Sequence, residues 1–138
     1  MAMNWKSDSP EDTEKAGREF ALSLGDKNAV VALYGELGAG KSCFVRGAAV
    51  SLGVSDRVSS PTFSIINCYS GKKAVYHMDA YRLKSASEIL RIGFEDYVAD
   101  DSVCFIEWPG RIESLLPEGT IKVRFTIKGE TAREISVE

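Results

Sequence analysis

The sequence predicts an α/β fold, a three-layer sandwich whose sheet contains both parallel and antiparallel strands. Three observations support this prediction. An apolar segment at residues 29–34 is followed by a glycine-rich loop and a helical pattern, an order typical of a parallel sheet. Strand-like segments also occur in pairs, at residues 63–79 and 120–137, and each pair predicts an antiparallel hairpin. The length of 138 residues fits one domain, 1–138, with a real core.

The chain begins with a polar, acidic segment, residues 1–9, that we interpret as a loose leader. Ser9 and Pro10 then predict the start of a helix, with serine as the N-cap and proline at the first helical position. Asp12 occupies the acidic position of a capping box. Apolar residues recur at helical spacing from there to Gly25, which is expected to end the helix.

The remaining elements follow from apolar periodicity and turn residues. The predicted order is a strand at 29–34, a helix at 41–52, strands at 63–69 and 73–79, helical segments at 85–92 and 94–99, a strand at 103–106 that ends in Glu107, a short helix at 112–116, and strands at 120–128 and 131–137. Because the strand at 29–34 is apolar on nearly every residue, we expect it to be buried on both faces.

Composition excludes several classes of protein. A net charge of −3 and a pI of about 5.3 indicate no basic surface for strong nucleic-acid binding. The longest apolar runs, of about six residues, are far below the roughly 20 that a transmembrane helix needs, so no membrane contact is expected. The odd number of cysteines, Cys43, Cys68 and Cys104, without C-x-x-C spacing, predicts half-buried, reduced thiols in a cytoplasmic protein.

The glycine-rich loop, Gly35 to Ser42, matches the P-loop pattern G-x-x-x-x-G-K-[ST] between a strand and a helix. Its glycines let successive backbone N–H groups turn toward an anion, and the helix adds the positive end of its dipole. Lys41 can bring its charge to the β- and γ-phosphates, and the Ser42 hydroxyl can bind Mg²⁺. The loop therefore predicts a P-loop NTPase-like fold that binds a nucleotide, the alternative being a turn that binds nothing.

Hydrolysis also needs a metal ligand, usually a carboxylate at the end of an apolar strand. Two predicted strands end in this way, at Asp79 and at Glu107. The residue type favours Asp79, and the apolar character of the preceding strand favours Glu107. Spacing alone does not decide between them, and a solvated carboxylate is the alternative for each.

Other residues have both a functional and a structural interpretation. The segment Ser-Pro-Thr that ends at Thr62 could be a nucleotide switch, although taken alone it favours a proline turn. We interpret His77 as a satisfied structural histidine and Trp108 as a packing residue. Arg82 and Arg111 are interpreted as surface salt-bridging residues rather than as an arginine finger.

Four motifs occur together in a specific order. They are the P-loop, the segment Ser60-Pro61-Thr62-Phe63, the segment His77-x-Asp79-x-Tyr81-Arg82-Leu83, and Ile106-Glu107-Trp108. In this order the chain resembles the bacterial TsaE (YjeE) family over nearly its whole length. The resemblance implies an ATPase subunit of the machinery that makes N6-threonylcarbamoyladenosine at position 37 of tRNAs reading ANN codons. It also implies ATP (with ADP as product) and Mg²⁺ as cofactors, and TsaD-like and TsaB-like proteins as partners.

The resemblance assigns roles by position. It implies that Gly38, Ala39, Gly40, Lys41, Ser42 and Cys43 bind the ATP phosphates. It implies that Ser42 and Glu107 hold Mg²⁺, which leaves Asp79 near the γ-phosphate. Lys41, Asp79 and the switch residue Thr62 then form the expected catalytic group, with the last two orienting water. Thr13 and Arg133 match positions near the base or sugar.

The expected activity is ATP hydrolysis that is slow in the isolated chain, because no strong arginine finger is evident, and faster with a partner. Hydrolysis would then reset the transferase complex. The alternatives are a non-hydrolysing ATP/ADP-sensing assembly module and, less favoured, a small-molecule kinase, for whose acceptor pocket and lid the chain has little length.

Overall fold

The computed structural model describes residues 3–55, 66–83, 85–91 and 93–138. The strands within these residues are β1 (Met3–Ser7), β2 (Ala29–Tyr34), β3 (Ile66–Ser70), β4 (Ala74–Asp79), β5 (Ser102–Glu107), β6 (Ile121–Ile127) and β7 (Arg133–Val137). The helices are α1 (Pro10–Leu24), α2 (Lys41–Ser51), α3 (Ala86–Arg91) and α4 (Phe94–Ala99), with 3₁₀ turns at Ala80–Arg82 and Pro109–Leu115. The elements follow the predicted order, and β1 is additional to the prediction.

The strands form one sheet in the order β1-β7-β6-β2-β5-β4-β3. β2 pairs in parallel with β5 and β6, and β4 pairs in parallel with β5. The outer pairs, β3–β4, β6–β7 and β1–β7, are antiparallel. The predicted mixture of a parallel centre with flanking hairpins is therefore confirmed.

Helical layers cover both faces of the sheet, which confirms the predicted three layers. The face under α1 and α2 is packed around the rings of Phe20, Phe44 and Phe125. The opposite face is packed by the shorter helical segments through residues such as Phe94 and Ile112. β2 lies between the two cores, and its interior residues are buried, as its apolar sequence predicts.

The interpretation of residues 1–9 as a loose leader is wrong for the described part of this segment, residues 3–9. Residues 3–7 form β1, the edge strand that pairs with β7. The indole of Trp5 packs against the ring of Phe44 at 6.2 Å and donates a hydrogen bond to Glu19 at 2.6 Å. Buried apolar contact and backbone pairing therefore order a segment whose composition is polar. Alternation of Met3, Trp5 and Ser7 with polar residues is the sequence signal that could have predicted the strand.

The start of α1 agrees with the prediction in its N-cap and its first-position proline and differs in the partner of Asp12. Ser9 is the N-cap and accepts a hydrogen bond from the Asp12 N–H at 3.1 Å. The Asp12 carboxylate in turn accepts from the N–H of Asp8 at 3.0 Å, one residue before the position that a regular capping box uses. Two side-chain hydrogen bonds, one accepted by Ser9 and one by Asp12, therefore stabilise the N-terminus of α1, which carries Thr13 in its first turn.

The two long helices approach each other at two glycines. A Cβ atom on Gly17 of α1 would collide with the carbonyl oxygen of Phe44, and one on Gly47 of α2 would collide with that of Glu14. Only a residue without a side chain allows this backbone contact. α2, which begins at the P-loop, is thereby fixed against α1.

Replacement of Gly47 by alanine is expected to lower the free energy of unfolding by about 3 kcal/mol, because the added methyl overpacks a backbone contact. At an unhindered helical position the same change would stabilise the protein by about 1 kcal/mol. Thermal unfolding should show a decrease in Tm of about 10 °C. Gly110→Ala, where a Cβ meets nothing within 4 Å, is the matched control. A Gly47→Ala variant as stable as the parent would contradict this account of the helix contact.

Some predicted details differ from the structure. The short helix expected at 112–116 is a pair of 3₁₀ turns over Pro109–Leu115, which follow the left-handed backbone of Trp108 and are separated by non-helical angles at Ile112. The three cysteines are free, but only Cys43 is half-buried, since Cys68 is exposed and Cys104 is buried. In the described residues, no helix combines the length and the apolar character needed to span a membrane.

Candidate nucleotide-binding site

The loop between β2 and α2 has glycine where the backbone requires it. Gly38 (φ 82°) and Gly40 (φ 100°) lie in the left-handed region, and Ala39 between them is fully buried. Gly40 is the N-cap of α2 and accepts the hydrogen bond of the Phe44 N–H at 3.0 Å. A helix N-terminus presents backbone N–H groups and a partial positive charge, so the loop suits an anion.

The Lys41 side chain is nearly buried beside this loop, with 5% of the residue exposed. Its Nζ donates a hydrogen bond to the Gly35 carbonyl at 2.6 Å and lies 3.5 Å from the centroid of the Trp108 ring. Burial lowers the pKa of Lys41, whereas the carboxylates of Glu107 and Asp79 act to raise it. A poorly hydrated positive charge of this kind interacts strongly with an added anion, because little water screens it.

Trp108 has an unusual backbone conformation for a residue with a side chain. Its φ of 55° and ψ of 55° lie in the left-handed region, which costs on the order of 1–3 kcal/mol. The ring packs against Lys41 and against Tyr81, with 5.1 Å between the aromatic centroids. It also lines a cavity of about 450 Å³ with Leu33, Tyr34, Gly35, Tyr81, Pro109, Gly110 and Arg111. Trp108 is therefore a packing residue, as expected, but one that packs on the P-loop lysine.

Glu107 is the last residue of β5 and is 7% exposed. The Ser42 Oγ donates a hydrogen bond to its Oε2 at 3.1 Å, and the same oxygen contacts the Nε2 atom of His77. Burial acts to raise the pKa of Glu107, but its contact with His77, the Ser42 hydrogen bond and the charge of Lys41 outweigh burial and lower the pKa. The side chain is therefore a carboxylate at neutral pH.

The pair Ser42 and Glu107 fits a magnesium ion chemically. A hydroxyl and a carboxylate that already lie 3.1 Å apart provide two hard oxygen donors on one side of the loop. Mg²⁺ commonly uses one or two protein oxygens and completes its coordination with water and substrate phosphates. The donor set therefore suits a metal that is bound together with a nucleotide.

Asp79 lies directly beside Glu107, because the two residues pair in the register of β4 and β5. Its carboxylate accepts a hydrogen bond from the Tyr81 N–H at 2.9 Å and so caps the following 3₁₀ turn. The two carboxylates between which spacing alone did not decide thus lie side by side at the carboxyl ends of neighbouring strands. The one in contact with Ser42 is Glu107.

His77 is fully buried on the sheet face that α2 covers, two residues before Asp79. Its Nε2 contacts Glu107, whereas its Nδ1 has no hydrogen-bond partner among the described residues. The interpretation of His77 as a satisfied structural histidine is therefore wrong in one respect, since one of its two ring nitrogens is unsatisfied. The sequence carries no direct sign of this contact, because its partner lies 30 residues away on another strand.

A second pocket, of about 210 Å³, lies on the other side of the loop. It is lined by Ser9, Pro10, Thr13, Gly38, Gly40, Cys43, Glu130, Thr131 and Arg133. Thr13 and Arg133, expected near the base or sugar, thus meet the P-loop although they lie far apart in the sequence. The Arg133 guanidinium donates hydrogen bonds to the Gly38 carbonyl at 3.1 and 3.3 Å. The Thr13 and Ser7 hydroxyls are 2.7 Å apart.

Four lining residues of this pocket, Ser9, Pro10, Glu130 and Thr131, were not predicted. The sequence signal that could have identified them is their proximity along the chain to Thr13 and Arg133. Thr62, with the rest of the candidate switch segment, lies outside the described residues.

Arg111 differs from its interpretation as a salt-bridging residue. In the described residues, its guanidinium donates to the backbone carbonyl of Leu83 rather than to a carboxylate. It therefore links the 3₁₀ segment that follows Trp108 to the segment that follows Asp79.

The fold and the loop define the class of this molecule, an α/β protein with a P-loop-like fold. Residues 7–135 match the model of a family described as "Threonylcarbamoyl adenosine biosynthesis protein TsaE". The chain belongs to the TsaE family.

Similar proteins cover nearly the whole chain. The tRNA threonylcarbamoyladenosine biosynthesis protein TsaE of Treponema pallidum is 40% identical over 98% of this chain and 99% of that protein. The protein of the same name from Bacillus subtilis is 38% identical over 97% of this chain and 84% of that one. The crystal structure of YdiB from Bacillus subtilis superimposes with a TM-score of 0.80 at 31% identity, covering 99% of this chain and 84% of that chain.

Proposed function

We propose that this chain is a Mg²⁺-dependent ATPase that acts in the biosynthesis of threonylcarbamoyladenosine in tRNA. Family membership and the names of similar proteins support the role in this pathway. The observation that carries the proposed chemistry is the convergence of Lys41, Ser42 and Glu107, which groups a cation, a hydroxyl and a carboxylate at the P-loop.

In this proposal, the loop and the N-terminus of α2 bind the phosphates of ATP through residues 38–43, with the Lys41 ammonium on the β- and γ-phosphates. The pocket between Thr13 and Arg133 takes the sugar or base. Its position beside Gly38 and Gly40 supports this assignment, since it continues directly from the loop.

Ser42 and Glu107 would hold Mg²⁺, which when bound neutralises charge on the phosphates. Asp79 lies next to Glu107 at the sheet edge, where it can accept a hydrogen bond from an attacking water. Thr62 is proposed as the second residue that orients this water. The Trp108 ring packs against the Lys41 ammonium and limits its contact with solvent, and Tyr81 packs on that ring. No covalent intermediate on the protein is needed.

The proposed partners are TsaD-like and TsaB-like proteins, and the proposed substrate of the assembly is position 37 of tRNAs that read ANN codons. ATP hydrolysis would reset the transferase complex between rounds. The net charge of −3 supports the proposal that the partners make most of the tRNA contacts, because an acidic chain offers few cations to the phosphates.

Phosphate release tests this proposal directly. The chain should hydrolyse Mg-ATP slowly alone and faster with its TsaD-like and TsaB-like partners, because a partner can supply missing transition-state charge. Tight ATP binding without phosphate release, even in the complex, would instead define an ATP-sensing module. Transfer of phosphate to a metabolite would define a kinase.

Replacement of Arg133 by alanine should weaken ATP binding about fivefold, the effect of losing roughly 1 kcal/mol of hydrogen bonding. Arg133 lines the second pocket and holds the Gly38 carbonyl, so its loss affects both the sugar side and the loop. Calorimetric titration with Mg-ATP measures the change. Arg124→Ala is the control, because Arg124 lies on the neighbouring strand and pairs with Glu138. Equal affinities of the Arg133→Ala variant and the parent would remove Arg133 from the site.

A further inference from the structure

We propose that His77 is a positioning residue for the metal site: its Nε2–H holds the Glu107 carboxylate in the orientation that serves Ser42 and the cation. This inference rests on the proposed function, since it requires Glu107 to be a metal ligand. His77 is the one histidine of the chain and is fully buried.

The direction of the hydrogen bond follows from the state of Glu107. As a ligand of a cation, Glu107 would be an ionised carboxylate, which can only accept hydrogen bonds. The Nε2 atom of His77 must therefore carry the hydrogen. An N–H at Nδ1 would be buried without an acceptor among the described residues, which favours placing the hydrogen on Nε2.

Two donors reach the same oxygen of Glu107. The Ser42 Oγ and the His77 Nε2 both contact Oε2, one from the loop and the other from β4. Two donors that approach from different directions restrict the rotation of a carboxylate more than one donor does. Hydrogen-bond partners of metal ligands commonly orient the ligands in this way. Among the described residues, removal of His77 would leave Ser42 as the one hydrogen-bond donor to this oxygen, and Ser42 is itself a proposed ligand.

The choice of residue at this position also needs explanation. His77 lies on the same strand face as Val75, against the core under α2, where an apolar side chain would leave no polar atom unsatisfied. A buried ring nitrogen without a partner is destabilising. Packing alone therefore does not explain a histidine at this position, whereas the contact with Glu107 does.

The test compares His77→Leu, which removes the donor, with His77→Gln, whose side-chain amide can donate to Glu107. Calorimetry gives the ATP affinity with Mg²⁺ and in EDTA for each variant. We expect His77→Leu to reduce the strengthening of ATP binding by Mg²⁺ about 10- to 100-fold, the usual range for the partner of a metal ligand. His77→Gln should recover most of this loss, and affinity in EDTA should stay within about twofold of the parent's. Met78→Leu, on the opposite strand face, is the packing control.

A second measurement does not depend on ATP. In tag-free protein labelled with ¹⁵N-histidine, the single ring should show a protonated Nε2 and an unprotonated Nδ1. Protonation at Nδ1 with a bare Nε2 would overturn the proposal, as would an unchanged Mg²⁺ response in folded His77→Leu. If Glu107→Gln also leaves the Mg²⁺ response intact, the metal site itself is wrongly placed. If Glu107→Gln loses the Mg²⁺ response and the His77 variants keep it, the proposed function stands and this inference fails.

Discussion

Replacement of Lys41 by methionine is expected to weaken the binding of Mg-ATP by about 100-fold or more, which corresponds to at least about 2.7 kcal/mol. Methionine has a similar length and no charge, so it fills the space beside the Trp108 ring without offering a cation to the phosphates. Lys41 is 5% exposed, and water would not substitute efficiently for its ammonium. Hydrogen bonds to charged groups in such places contribute about 1.5–3 kcal/mol each.

Calorimetric titration of the Lys41→Met variant measures this loss directly. The matched control is Lys27→Met, which removes an exposed lysine in the connection between α1 and β2. Thermal unfolding should show that Lys41→Met remains folded, because burial of an uncharged side chain removes a desolvation cost. An affinity within threefold of the parent's would refute the placement of ATP phosphates at this loop.

Replacement of Glu107 by glutamine is the second change with a large expected effect. Phosphate release should fall by about 100-fold or more, since the proposed magnesium site would lose its carboxylate and with it stabilisation of the transition state. Binding of ATP in EDTA should remain close to the parent's. Glutamine keeps the size of the side chain, and its amide oxygen can still accept from Ser42 and His77, so the fold should be retained.

Asp79→Asn is the natural comparison, because Asp79 pairs with Glu107 in the sheet and differs in its contacts. This variant should also lose phosphate release, through poor placement of water, while Mg²⁺ still strengthens ATP binding. Glu107→Gln should lose that strengthening. The reverse result, with Mg²⁺ acting normally on Glu107→Gln but not on Asp79→Asn, would exchange the roles of the two carboxylates.

Much of the fold is visible in the sequence because local signals agree. The apolar run of β2, the glycines of the P-loop and the N-cap at Ser9 each specify their own element, and the two hairpins follow from alternation. β1 was missed because its order comes from pairing with β7 and from the contact between Trp5 and Phe44. A five-residue segment with polar composition reveals neither of these partners.

The site was predictable to the extent that it lies within motifs. Lys41 and Ser42 follow from the loop pattern, whereas the placement of Glu107 beside Ser42 depends on the order of strands in the sheet. The contact between His77 and Glu107 requires the parallel register of β4 and β5, in which His77 pairs with Phe105. Spacing along the chain does not contain that register, so the partner of the histidine could not be derived before the structure.

The backbone contact between α1 and α2 has a consequence for how the nucleotide pocket can open. Gly17 and Gly47 allow the two helix backbones to pack in direct contact, and each helix contributes a lining residue to the pocket, Thr13 from α1 and Cys43 from α2. The opposite wall belongs to the turn between β6 and β7, where Glu130 and Thr131 are exposed. We therefore expect an opening of this pocket to involve displacement of the turn between β6 and β7 more than displacement of α1 against α2.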